Sequence, residues 1–151
     1  MPIKLCAVAL LAICCFSLPA AAEKKFIVPA ELAPKPGAPA AVYSPAVLVD
    51  GTLYISGMLG TDLNTRQIPD RFEDEVSAAL DSVGIVLKEA GMTYADVVSV
   101  TIFLTDMELF GRMNAVYTAR FPAPRPARTT VGVSRLGSPK GHLEISVTAK
   151  K

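Results

Sequence analysis

Hydrophobic residues along this chain switch between a period of two and a period of 3.6, and the switches outline its elements. Residues 46–49 (AVLV) and 52–59 (TLYISGML) read as two strands, joined by Asp50-Gly51. Asp-Gly between β-prone runs is a hairpin signal, because both positions tolerate φ > 0. In the second strand Leu53, Ile55 and Gly57 alternate with Tyr54, Ser56 and Met58, so one set faces a core. From 70 to 90 the apolar positions Phe72, Val76, Ala79, Leu80, Val83, Val86, Leu87 and Ala90 fall at helical spacing. Asp70 and Glu73 resemble a capping box, and Gly91 stands where a left-handed terminator belongs.

Residues 97–104 (VVSVTIFL) form a nearly continuous β-branched run, which suits a central strand covered on both faces. Thr105 or Asp106 caps a second helix over 108–120, with Phe110, Met113 and Tyr117 as its buried stripe and Phe121 closing it. Pro122, Pro124 and Pro126 stop that helix. Residues 128–133 (RTTVGV) and 142–149 (HLEISVTA) supply two more strands, and 26–28 a short edge strand before a proline-dense lead-in. The order is hairpin, helix, strand, helix, strand, strand. Two helices cover one face of a mixed sheet in such an α+β domain, and oligomerisation commonly buries the other face.

The first 22 residues change the picture of the whole. Lys4 precedes a 14-residue apolar run, residues 5–18, followed by Pro19 and Ala20-Ala21-Ala22. This is the pattern of a secretory signal cleaved after Ala22, leaving 23–151 as one domain with a periplasmic or secreted location. The run is shorter than the roughly 20 residues a membrane span needs. Leu11-Ala12-Ile13-Cys14 resembles a lipoprotein acylation box, although Ile13 is bulky where a small residue is wanted; lipidation is the alternative.

All 3 cysteines lie inside that segment, so the mature chain has no thiol for disulfides, thiolate catalysis or zinc. A lone histidine, His142, builds no multi-histidine metal site. A net charge of +1, spread evenly, offers no electrostatic footprint for nucleic acid.

Tyr43-Ser44, Leu53-Tyr54-Ile55-Ser56-Gly57, Asp96-Val97-Val98, Phe103-Leu104-Thr105-Asp106-Met107, Asn114-x-x-Tyr117, Pro126-Ala127-Arg128-Thr129-Thr130-Val131 and Leu143-Glu144-Ile145 occur in this order. In these motifs the chain resembles the RidA/YjgF/UK114 family from about Phe26 onward. The resemblance implies a chorismate-mutase-like (YjgF-type) fold, assembled as a homotrimer with clefts between neighbouring subunits. It also implies hydrolysis of reactive enamines and imines, such as 2-aminoacrylate, to 2-oxo acids and ammonia, without metal or organic cofactor.

Carried over residue by residue, the resemblance makes Arg128 the grip on the substrate carboxylate, which suits a planar guanidinium fork. Glu144 becomes the carboxylate that orients the attacking water and relays its proton. Tyr43, Ser56, Asn114 and Thr130 are expected to line the cleft, Thr130 through its backbone carbonyl. His142 has no counterpart in the family and reads as a loop-edge residue. The chain departs from the family at Ala41-Val42, Pro45 and Met58, changes that make one wall more apolar and suggest a bulkier, more hydrophobic imino acid.

Two other functions compete. One is a non-catalytic trimer binding small ligands or partner surfaces through the same cleft. The other is a ribonuclease, for which one histidine and a near-neutral chain supply neither an acid–base pair nor phosphate-binding cations.

Overall fold

The computed structural model describes residues 23–34 and 36–151; the signal and acylation expectations concern residues outside these. Six strands form one sheet: β1 (Lys25–Ile27), β2 (Ala46–Val49), β3 (Thr52–Leu59), β4 (Val97–Leu104), β5 (Ala127–Gly132) and β6 (Leu143–Lys150). Their order across the sheet is β1-β2-β3-β6-β4-β5. All neighbours are antiparallel except β4 and β5, which run parallel, so the sheet is mixed. The β2–β3 hairpin turns at Asp50 (φ 48°) and Gly51 (φ 68°), both left-handed as that dipeptide allows.

Helices α1 (Phe72–Glu89) and α2 (Phe110–Arg120) carry the remaining core residues. Phe72, Val76, Ala79, Leu80, Val83, Val86 and Leu87 of α1 are all buried, as their spacing predicts. They pack with Leu53, Ile55, Val100, Ile102, Leu104, Leu143, Ile145, Val147 and Ala149, one face of the central strands. Met113, Tyr117 and Phe121 extend this core under α2. Two ion pairs tie the helices together, Glu73–Arg112 and Asp81–Arg120, each with a closest approach of 2.7 Å.

Three expectations need correction. The α1 capping box does not form: Arg71 is the N-cap and makes no side-chain cap bond, while the Glu73 carboxylate takes the Arg112 guanidinium. A charged, two-pronged partner outcompetes a single backbone N–H for the carboxylate. Among the described residues of the single chain, β4 is covered on one face only, with Thr101 and Phe103 half-exposed on the other. Finally, the alternation in β3 breaks: the register against β6 shifts between Ile55 and Met58, a β-bulge. The bulge turns Met58 inward (8 % exposed) beside Ile145, where it still lines one cavity with Ala41, Tyr43 and Pro45.

The second helix differs in its start. Asp106 accepts the Glu108 N–H at 2.9 Å and caps a 3-10 turn, Met107–Leu109, from which α2 proceeds. Opposite the helices no other described residues cover the sheet. Tyr54 (53 % exposed) and Val131 (37 %) stand there with Phe103, Thr101, Ser146 and Thr148 between them. Large apolar side chains on an uncovered sheet face mark a surface for association.

Candidate functional site

Arg128 lies on β5, the edge strand that follows the proline-rich turn. Its Cα partner is Val100, which belongs to the core, so Arg128 projects toward the helix side of the sheet. There its guanidinium lies over two rings of α2, 4.6 Å from the Tyr117 centroid and 5.6 Å from that of Phe110. Cation–π attraction restrains the fork while leaving its N–H edge free to donate. Arg128 makes no salt bridge among the described residues. Such a half-buried, uncommitted guanidinium is prepared for an anion.

Asn114 and Tyr117 share a cavity of about 320 Å³ with Arg128. Tyr117 is 2 % exposed and its hydroxyl finds no partner among the described residues. Burial raises its pKa, opposed by the charges of Arg128 and Arg125. Thr130, two residues beyond Arg128 on the same face, likewise has a buried hydroxyl without a partner among the described residues. Sequence reasoning treated Tyr117 as core alone. It is core and also the seat of Arg128, a dual role that helix periodicity cannot express.

Glu144 occupies the opposite side. Its Cα partners are Phe103 on β4 and Leu59 on β3, both on the uncovered face. The bulge in β3 brings Gly57 against it: a Cβ at Gly57 would lie 2.0 Å from Glu144 Oε1. Only glycine leaves the carboxylate its space, which gives the Ser56-Gly57 pair a steric reason. Glu144 and Phe103 line a cavity of about 800 Å³ with the loop carrying Arg135 and Leu136.

Tyr43 is 64 % exposed and, with Gly57, borders a further cavity of about 790 Å³. Ser56 does not point its hydroxyl into open space. It donates to the Ser44 carbonyl at 2.8 Å, and the Ser56 N–H donates to the Pro45 carbonyl at 2.9 Å. Ser56 thus anchors the segment that presents Tyr43.

The six residues singled out from the sequence therefore fall into two groups. Arg128, Asn114 and Thr130 gather beside α2, whereas Tyr43, Ser56 and Glu144 gather around the β3 bulge. Within the chain Arg128 and Glu144 stand on opposite sides of the sheet and do not meet. Among the described residues no three His, Cys, Asp or Glu side chains cluster as a metal site would require.

A family model described as Endoribonuclease L-PSP matches residues 33–151. The chain is 41% identical over 116 residues to a 2-iminobutanoate/2-iminopropanoate deaminase of Rattus norvegicus, covering 74% of this chain and 83% of that one. A protein of the same name from Bos taurus is 43% identical over 116 residues, with the same coverage of each chain. Among solved structures, RidA from the Antarctic bacterium Psychrobacter sp. PAMC 21119 superposes with a TM-score of 0.75 at 31% identity, covering 84% of this chain and 100% of that one.

Proposed function

Because the chain belongs to the Endoribonuclease L-PSP (RidA/YjgF) family, we propose that it hydrolyses reactive enamines and imines of amino acids to 2-oxo acids and ammonia. The names of its relatives support the reaction class. The observation that carries the reading for this chain is the uncommitted Arg128 guanidinium, held over Tyr117 and Phe110 beside Asn114.

In this reading Arg128 grips the substrate carboxylate, which places the adjacent C=N carbon near the mouth of the cavity. Glu144 of the neighbouring protomer holds a water against that carbon. As the water oxygen bonds to carbon, the carboxylate accepts its proton and passes it to nitrogen. The carbinolamine then expels ammonia as its hydroxyl proton returns through the same carboxylate. The sum is imine plus water to 2-oxo acid plus ammonia, with no redox change.

Arg128 and Glu144 serve one substrate only if copies of the chain associate. The bare sheet face carrying Tyr54 and Val131 supports a homotrimer in which each cleft takes Arg128 from one protomer and Glu144 from the next. Residues 1–22 read as an export signal, so the proposed place of action is the periplasm or the exterior, on imines made there.

Mixed assemblies test both the chemistry and the architecture. Imines are generated with an amino-acid oxidase, and their loss is followed by semicarbazide trapping. Arg128→Ala and Glu144→Gln are each expected to be inactive. After unfolding and refolding together in equal amounts, about a quarter of the clefts regain both side chains by chance, and activity returns to that level. Wild-type protein without effect on the imine would remove the hydrolase reading; absence of recovery on mixing would remove the shared cleft.

A further inference from the structure

One cation beside the proposed cleft has no role in that chemistry. Arg125 lies three residues before Arg128, in the extended segment entering β5, and lines the same cavity of about 320 Å³. Neither guanidinium makes a salt bridge among the described residues, which is true of Arg66 and Arg135 as well. The Tyr117 ring belongs to the same lining, while its hydroxyl is buried and without a partner among the described residues. Both arginines line this one cavity, and both work against the rise that burial imposes on the Tyr117 pKa.

Arg125 is exposed and Arg128 half-buried, so water screens much of their mutual repulsion, and an opposite charge held between them lowers it further. A single carboxylate compensates one guanidinium and leaves the other uncompensated. A dianion compensates both, and each fork can take its own carboxylate in two-pronged fashion. Thr118 and Pro126, the other neighbours of Arg125 in the lining, bring no competing negative charge.

Resting on the deaminase reading above, we propose that Arg125 is a specificity residue for imino acids with a second carboxylate on their side chain. Arg128 holds the carboxylate next to the C=N carbon, and Arg125 holds the distal one. The hydrolysis is unchanged: the dicarboxylic imine plus water yields a dicarboxylic 2-oxo acid and ammonia. The reaction class that must supply such a substrate is oxidation of an acidic amino acid at its α-carbon.

The test compares imines derived from glutamate, alanine and leucine, using wild type and Arg125→Ala. Wild type is expected to turn over the glutamate-derived imine best. Arg125→Ala is expected to lose about 30-fold in kcat/KM on that imine, mostly through KM, and less than about 2-fold on the alanine-derived one. Binding of the stable products 2-oxoglutarate and pyruvate, followed by calorimetry, gives a readout that needs no turnover. An Arg125-dependent preference for 2-oxoglutarate supports the assignment even if wild type hydrolyses nothing, in which case only the hydrolase reading fails. Equal losses on all imines, better wild-type turnover of the alanine- or leucine-derived imine, absence of any 2-oxoglutarate preference, or a changed assembly state of Arg125→Ala on gel filtration would each overturn it.

Discussion

The Glu75 carboxylate, fully buried in α1, receives the His142 N–H at 2.6 Å on one oxygen and faces the His142 Nδ1 at 2.9 Å with the other. The first oxygen also accepts the Leu143 N–H at 3.1 Å. One side chain thereby satisfies two successive backbone donors where β6 begins. An acceptor facing Nδ1 sets the imidazole tautomer with its proton there.

Removing that carboxylate should cost the fold heavily. Glu75→Ala leaves the His142 and Leu143 amides without partners, and each buried orphan costs about 1–3 kcal/mol. The expected loss is about 3 kcal/mol in urea unfolding. Glu75→Gln keeps one accepting oxygen and should lose less than half of that. Equal losses for both variants would mean that the amides are satisfied in another way.

Two glycines beside these carboxylates should fail differently. A Cβ at Gly57 meets the mobile end of Glu144, which can swing aside, so Gly57→Ala should fold yet lose about 10-fold or more in kcat. A Cβ at Gly60 would sit 2.2 Å from the Glu75 backbone oxygen, which cannot move without shifting α1. Gly60→Ala should therefore lower stability by about 2 kcal/mol or more. Melting curves read beside kinetics separate the two cases.

Acid stability should respond to Arg112. Its hydrogen bond to Glu73 holds that carboxyl at about 2, below the ordinary 4.5. A depressed folded-state pKa contributes stability that is complete above the unfolded value and disappears as pH falls through the folded one. The advantage of wild type over Arg112→Ala should accordingly be present at pH 6, shrink between about pH 4.5 and about pH 2, and vanish below. Because the pair is partly exposed, added salt should also diminish it. A pH-independent difference in unfolding midpoint would contradict this.

Arg128→Lys should not restore what Arg128→Ala loses. Lysine keeps the charge but offers neither a planar fork nor the same stacking on Tyr117 and Phe110. Both variants are expected to lose about 100-fold or more in kcat/KM on imino acids, and to keep most of their thermal stability. A lysine variant with near-normal KM would show that charge alone suffices.

Covering of the bare sheet face is measurable without substrate. Val131→Asp places a charge on that face, away from both helices. Sedimentation should show a trimer for wild type and a monomer for the variant, with imine turnover lost together with assembly. A trimeric Val131→Asp protein would place the interface elsewhere.

Much of this molecule could be read from its residue order. The α1 stripe, the Asp50-Gly51 turn and the β-branched run of β4 are local patterns whose physical causes act over a few residues. They declared their elements without help from the rest of the chain. The family motifs named Arg128 and Glu144 as well. What they could not express is where a side chain points once a strand is interrupted. The β3 bulge moves Met58 into the core and Gly57 against Glu144, because a partner strand 90 residues away dictates the register.

The same division holds for the chemistry. Periodicity determined the α+β class, and the motifs of the family resemblance supplied the candidate cation and the candidate carboxylate, since both are properties of neighbours in sequence. Tertiary structure alone decided that Tyr117 seats the guanidinium, that Glu75 reaches His142 across 67 positions, and that Arg128 and Glu144 end on opposite sheet faces. Those facts depend on which distant segments pack together, and packing is settled by burial and pairing over the whole chain.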